Sequence, residues 1–201
     1  QQPSVHRLPK RLIVQTPEDF PSVPLAQPPR SIPSNKGRLD LLLSFYRGMG
    51  KDDHGRTLQQ IVDFDVRQKE SVHNYIQWLF PLRTATGNNL TAPLWTDEWI
   101  DIMKQDPIVR ANLQISFESM LSFYGLTYTE DRSKIVRRDT FNTDAPWLQF
   151  HDHNHLRISR ILTSLCTLGF ESDARKFLDI LQEVATHVDP NDKGYWQRAI
   201  Y

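Results

Sequence analysis

The sequence predicts an all-α protein: a compact helical domain behind an extended, proline-rich N-terminal arm. Three observations carry that prediction. Apolar residues recur at helical spacing in several stretches, each bounded by residues that start or stop helices. Strands alternating with helices, the mark of a parallel sheet, are missing. The composition, 39% hydrophobic and 10% aromatic over 201 residues, is that of a folded chain long enough to bury one core.

The arm comes first. Residues 1–34 hold eight of the thirteen prolines, and each proline lacks an N–H and turns its predecessor away from helix. The arm either lies on the domain, with Leu12, Ile13, Val14, Phe20, Val23 and Leu25 filling grooves, or is a loose tail. The domain then spans 35–201. In RLDLLLSFYRG, Leu39, Leu42, Leu43 and Tyr46 fall at i, i+3, i+4 and i+7, and Gly48 stops the helix. Residues 51–67 are ambiguous, since IVDFDV reads as a short strand or an irregular loop. A helix is expected from Gln68 to Phe80, ending at Pro81. Thr96 is placed to cap the next, with Asp97 and Glu98 in its first turn. Asp106-Pro107 restarts a helix that runs to Tyr124 and stops at Gly125.

Residues 126–150 show no clean period and read as a long loop. Ile158, Ile161, Leu162, Leu165 and Leu168 then make a helical stripe that ends at Gly169. Ala174, Phe177, Leu178, Leu181, Val184 and Ala185 mark another helix, and a last one holds Tyr195, Trp196 and Ile200.

Charge excludes some partners. With 24 basic and 24 acidic side chains and no long run of one sign, nothing asks for nucleic acid or an anionic membrane. No stretch approaches the ~20 apolar residues that cross a bilayer. The start lacks a signal-peptide pattern, so an intracellular, cytoplasmic protein is expected. The chain begins without Met, which leaves open whether residues precede Gln1. The single cysteine, Cys166, sits among leucines and reads as a small buried hydrophobe.

Two runs hold candidate chemistry. In VHNYIQWLFP (72–81), helical spacing sets Val72, Tyr75, Ile76 and Leu79 on one stripe and His73, Gln77 and Phe80 on the next, with Trp78 and Asn74 in a third direction. A helix apolar all round is central. His73 and Gln77 therefore either bond to neighbouring backbone and brace the core, or line a pocket. An unsatisfied buried polar group costs ~1–3 kcal/mol, so they need partners of one kind or the other. In FHDHNHLRISR (150–160), three alternate histidines suggest a metal, but a helix points them in different directions and no further ligand spacing completes a site; no metal is expected. Asp152 or His151 would cap the helix, with His153, Arg157 and Arg160 along one flank and Asn154 beside Arg157. That flank is either solvated or meets His73 and Gln77 across a cavity. Asp63 and Asp65 form a weaker carboxylate pair, and Asn89-Leu90-Thr91 is a chance glycosylation sequon. The familiar nucleotide-binding, hydrolase and zinc-protease motifs are absent, and no cofactor is expected.

These runs carry a resemblance. HNYIQWLFP is similar to the H-x-Y-I-Q-W-L-F-P signature of the opioid growth factor receptor domain family. SFYRG at 44–48 resembles its opening helix, and Leu94 to Leu126, ending ESMLSFYGL, its middle helices. HDHNHLRISRIL at 151–162 resembles W-H-S-H-N-N-L-R-I-T-R-I-L, departing at Phe150 and His155, where the family has Trp and Asn. The likeness covers residues 36–185 and implies a compact helical domain. In animals the family is named for a nuclear-associated receptor for an enkephalin peptide. Without a long segment beyond the domain, this chain resembles the stand-alone, fungal-type members, some of them associated with natural-product pathways and cyclisations such as Diels–Alder reactions.

Two functions follow as expectations. The first is a cofactor-independent small-molecule enzyme, a cyclase or pericyclase type acting on an apolar substrate. Tyr75, Trp78 and Phe80 would supply aromatic walls, and His73, Gln77, His153 and Arg157, with Asn154, would hydrogen-bond the substrate and the charge that develops on it. The alternative is a peptide- or protein-binding helical module, which expects an open groove with polar residues around its rim.

Overall fold

The computed structural model describes residues 12–13, 35–84 and 92–201. Most of the proline-rich arm and the Asn89 sequon lie outside the described residues. Within them the chain is mostly helical, as the period and punctuation predict. The first helices are α1 (Asn35–Tyr46), α2 (Leu58–Val62), α3 (Val66–Ser71) and α4 (Ile76–Leu79). They are followed by α5 (Asp97–Gln105) and α6 (Pro107–Phe123), then α7 (Asn154–Thr167), α8 (Glu171–Val184) and α9 (Pro190–Arg198). Between α6 and α7 lies a two-stranded antiparallel hairpin, β1 (Leu126–Tyr128) and β2 (Ile135–Arg137), with Thr127 opposite Val136.

Local chemistry sets most of the boundaries. Asp106 Oδ1 accepts from Ile108 N at 2.9 Å and Val109 N at 3.1 Å, and Pro107 opens α6. Gly125 and Gly169 take φ of 75° and 79°, the left-handed turn that ends α6 and α7. Thr96 occupies the N-cap position of α5, but its side chain makes no capping bond.

Three expectations need correction. The 51–67 stretch is neither strand nor loop throughout: Thr57 with Gln60, and Asp65 with Gln68, build two capping boxes that start α2 and α3. Asp65 is thereby a cap, and Asp63 is engaged by Gln59 Nε2 at 2.7 Å, so the two are not a catalytic pair. The 126–150 loop contains the hairpin, whose strands are too short for a period to register. The single helix expected over 68–80 is broken into α3 and α4. Val72 is extended, with φ −87° and ψ 123°, and the helix resumes only at Ile76.

The break has an identifiable cause. In an unbroken helix the carbonyls of Lys69, Glu70 and Val72 would accept from N–H groups four residues on. Here the Arg157 guanidinium, from α7, donates to all three, at 2.7, 3.4 and 2.9 Å. The Tyr75 hydroxyl donates to the Lys69 carbonyl as well, at 3.0 Å.

The core is shared by both halves. α6 packs on α1, α2 and α5, and α7 on α8 and α9. Trp78 stacks edge-on against Phe45, and Phe117 against Phe177. This packing holds the α3–α4 break against the start of α7, and a cleft opens there.

Candidate functional site

The cleft has a volume of about 310 Å³. One wall is His73, Ile76 and Gln77, with Leu82 at its edge. The other is α7, which presents His153, Leu156, Arg157 and Arg160 together with Ser159 and Thr163. These positions repeat at three- and four-residue spacing, so they share one helix face. The structure therefore brings together His73, Gln77, His153 and Arg157, four residues that the sequence left as either braces or a pocket wall.

Their roles differ. Arg157 is only 5% exposed and is mainly a brace: besides the three carbonyls it donates to Asn154 Oδ1 at 3.1 Å, and its Nη2 lies 3.3 Å from His73 Nδ1. Arg160 donates to the Phe80 carbonyl at 3.1 Å, and burial pulls its guanidinium down to about 10. The rings of His73 and His153, both exposed, meet edge-on with centroids 5.1 Å apart. Ser159 and Thr163 donate their hydroxyls back to the carbonyls of His155 and Ser159, which leaves their oxygens as acceptors.

Gln77 stands apart. It is 94% buried by its 6% exposure, its Nε2 makes one long bond to the His73 carbonyl at 3.4 Å, and its Oε1 has no partner. A carboxamide has four hydrogen-bonding positions. Most of this one's are unused, at the wall of a cleft.

Other predicted site residues lie elsewhere. Tyr75, Trp78 and Phe80 are in the core, at 0%, 2% and 0% exposure, so they do not form the expected aromatic wall. A broken helix turns these rings inward instead of around a cavity. The apolar part of the cleft is aliphatic, with Leu156, 73% exposed, on its lip. Asn154 sits behind the cleft at 1% exposure; its Nδ2 holds Asp152 Oδ1 at 2.8 Å and Glu70 Oε2 at 3.1 Å. Leu82, Leu156, Ser159 and Thr163 were not singled out from the sequence. The 153–156–160–163 spacing contained Leu156 and Thr163, but nothing in it showed which α7 face would stay uncovered.

Metal-ligand chemistry gathers in two places among the described residues. Glu70, Asp152 and His153 have potential ligand atoms within 4.8 Å of one another, as do Asp52, Asp53 and His54. In the first group Glu70 approaches His153 Nε2 at 3.3 Å and Asp152 approaches Nδ1 at 3.6 Å, opposite edges of one ring, as ion pairs do and not as ligands converging on a point. In the second, Asp52 is already taken by Arg56 and two backbone N–H groups. A shallower depression of about 390 Å³ lies near Pro107, where Arg47 and Asp106 already pair at 2.7 Å. Cys166 is half-buried and its thiol is pushed up by burial, which disfavours the nucleophilic thiolate.

Among the described residues, fold and cleft together define a helical domain with a groove of about 310 Å³. Residues 41–190 match the family described as the opioid growth factor receptor (OGFr) conserved region, and the chain belongs to that family. It is 37% identical to the opioid growth factor receptor of Rattus norvegicus over 137 residues, covering 64% of this chain and 23% of that protein. It is 43% identical to that of Mus musculus over 104 residues, 51% of this chain and 16% of the relative. With opioid growth factor receptor-like protein 1 of Mus musculus the identity is 36% over 108 residues, 54% of this chain and 23% of the relative. The chain thus spans less than a quarter of the length of these relatives. No solved structure matches it. Among the described residues, no helix is long and apolar enough to cross a membrane.

Proposed function

We propose that the chain is a binding module whose cleft, between the α3–α4 break and α7, takes a short peptide. The observation that carries this reading is Gln77, a nearly buried carboxamide with an unpartnered Oε1 on the cleft wall. Leaving such a group unpaired costs ~1–3 kcal/mol; the oxygen is itself buried, and turning the carboxamide toward the cleft would let a ligand N–H recover that cost. A carboxamide also matches an extended peptide residue, accepting from its N–H and donating to its C=O. Ile76, Leu82 and Leu156 offer an apolar seat beside it. The receptor names of the relatives support a binding role over a catalytic one. An intracellular, cytoplasmic setting goes with this reading.

Cofactor-free catalysis on an apolar small molecule is the second reading. It draws on the two exposed imidazoles at the cleft, which would serve as acid and base. It has lost its aromatic walls, so it ranks below binding.

The test is NMR titration of isotope-labelled protein with capped tri- to pentapeptides carrying one leucine or phenylalanine. Binding should shift the Gln77 side-chain amide and the Ile76, Leu82 and Leu156 methyls, and Gln77→Met should abolish it. Peptides that leave those signals still would rule out the peptide reading. Turnover of a small molecule, lost in His73→Ala and His153→Ala, would establish the second.

A further inference from the structure

A different surface, built from α1, α2 and α6, already holds an extended segment. Leu12 and Ile13 of the N-terminal arm lie against it, far from it in sequence. Leu12 is buried to 8% exposure and joins the core. Its N–H donates to Gln59 Oε1 on α2 at 3.2 Å. Ile13 is held at both ends of its backbone by one side chain: its N–H donates to Asn112 Oδ1 at 3.0 Å, and its C=O accepts from Asn112 Nδ2 at 2.8 Å. A residue offers N–H and C=O to the same side when extended, as in a β-ladder.

Both carboxamides are oriented before the segment arrives. Asn112 Nδ2 also donates to the Tyr46 carbonyl at 2.7 Å, which fixes the nitrogen on that side and leaves the oxygen for Ile13. Gln59 Nε2 donates to Asp63 at 2.7 Å, which turns its oxygen toward Leu12. Asn112 is 0% exposed, a buried polar residue on α6 with both remaining bonds spent on the arm's backbone. Ile13 itself is 48% exposed.

We propose that this surface is a peptide-docking groove that reads an extended backbone plus one leucine-sized side chain, and that the chain's own Leu12–Ile13 segment occupies it as an exchangeable intramolecular ligand. The occupant is the segment around residues 12–13, which the groove accepts from its own chain or as a separate molecule. Twenty-one residues separate Ile13 from the start of α1 at Asn35. A tether of that length reaches about 70 Å at ~3.3–3.6 Å per residue, enough for the segment to leave the groove while still joined to the domain. The recognition is of the strand-addition kind, with main-chain bonds for affinity and one pocket for selectivity. This inference is independent of the cleft between α4 and α7, which uses none of these residues.

The test uses a fluorescent peptide of residues 6–19 and the full chain, as wild type and as Leu12→Ser/Ile13→Pro. The double variant empties the groove by removing the apolar anchor and the Ile13 N–H. It should bind the peptide, and the wild type should bind it about tenfold or more weakly, because a tethered segment competes at an effective concentration near ~1 mM. Methylating the Ile13 nitrogen of the peptide should cut binding by at least about fivefold, the loss of one buried hydrogen bond. Equal binding to wild type and double variant, no binding to the folded variant, or indifference to methylation would overturn the proposal. Should the variant not fold, a protease site placed between residues 20 and 34 of the wild type keeps the question open to measurement. After cleavage the arm fragment should exchange with labelled peptide on dilution. A fragment that never exchanges, or a cleaved domain that does not take up the peptide, would overturn it equally.

Discussion

Replacing Arg157 by Met tests how the fold holds the cleft together. Arg157 is 5% exposed as a residue, and its guanidinium bonds five groups, the shortest contacts being to the carbonyls of Lys69 at 2.7 Å and Val72 at 2.9 Å. Hydrogen bonds to a charged donor contribute ~1.5–3 kcal/mol each. Two effects reduce the sum. The Lys69 carbonyl keeps the Tyr75 hydroxyl as a donor. Removing a buried charge also relieves its desolvation, which can offset several kcal/mol. The net loss is therefore about 3 kcal/mol, and not the ~5 or more that counting bonds would suggest. For a chain of this size that is about 6–12 °C in melting temperature. Thermal and urea denaturation of Arg157→Met, with His73→Ala as a control that should lose less than ~1 kcal/mol, measure it. A melting temperature within about 2 °C of wild type would refute the argument that Arg157 terminates α3, and would return the residue to the cleft as a ligand-binding group.

Gln77→Met should behave in the opposite way. It removes an unpaired buried oxygen, so stability should rise by ~1 kcal/mol while peptide binding at the cleft disappears; a loss of stability would show that the carboxamide is satisfied after all. Asp106→Ala removes the α6 cap and the Arg47 ion pair, and should cost ~1–2 kcal/mol by urea denaturation. Lys69 is a buried ammonium pushed down to about 8 by desolvation, bonded to the Val62 and Phe64 carbonyls. The unfolded chain, with an ordinary lysine near 10.5, then binds more protons than the folded one above pH 8. Stability should accordingly rise with pH from about 8 toward 10, and Lys69→Met should flatten that slope. An unchanged slope in the variant would assign the effect to other groups.

Much of the fold was legible because its signals are local. Asp106-Pro107 and Gly125 bracket α6 through a cap, a missing N–H and a left-handed turn, all settled within a few residues. The stripe from Ile158 to Leu168 names the face of α7 that enters the core. The 126–137 hairpin escaped because three-residue strands are shorter than any usable period. The 68–80 helix failed for a different reason: its own sequence continues the helical pattern, and the groups that interrupt it belong to Arg157, more than eighty residues away.

The candidate site divides along the same line. That His73, Gln77, His153 and Arg157 are polar groups in apolar surroundings is a property of two short runs, and the sequence alone determined it, along with the helical class and the family signature. Which of them brace and which are free depends on how α7 meets the α3–α4 break. Tertiary packing sent Arg157 to the carbonyls, left the Gln77 oxygen unpaired, turned Tyr75, Trp78 and Phe80 into the core and left Leu156 outside it. The physical reason is range. Helical propensity and capping act within about one turn, while hydrogen-bond satisfaction is a balance over the whole buried interior, and no segment can be scored until its distant neighbours have arrived.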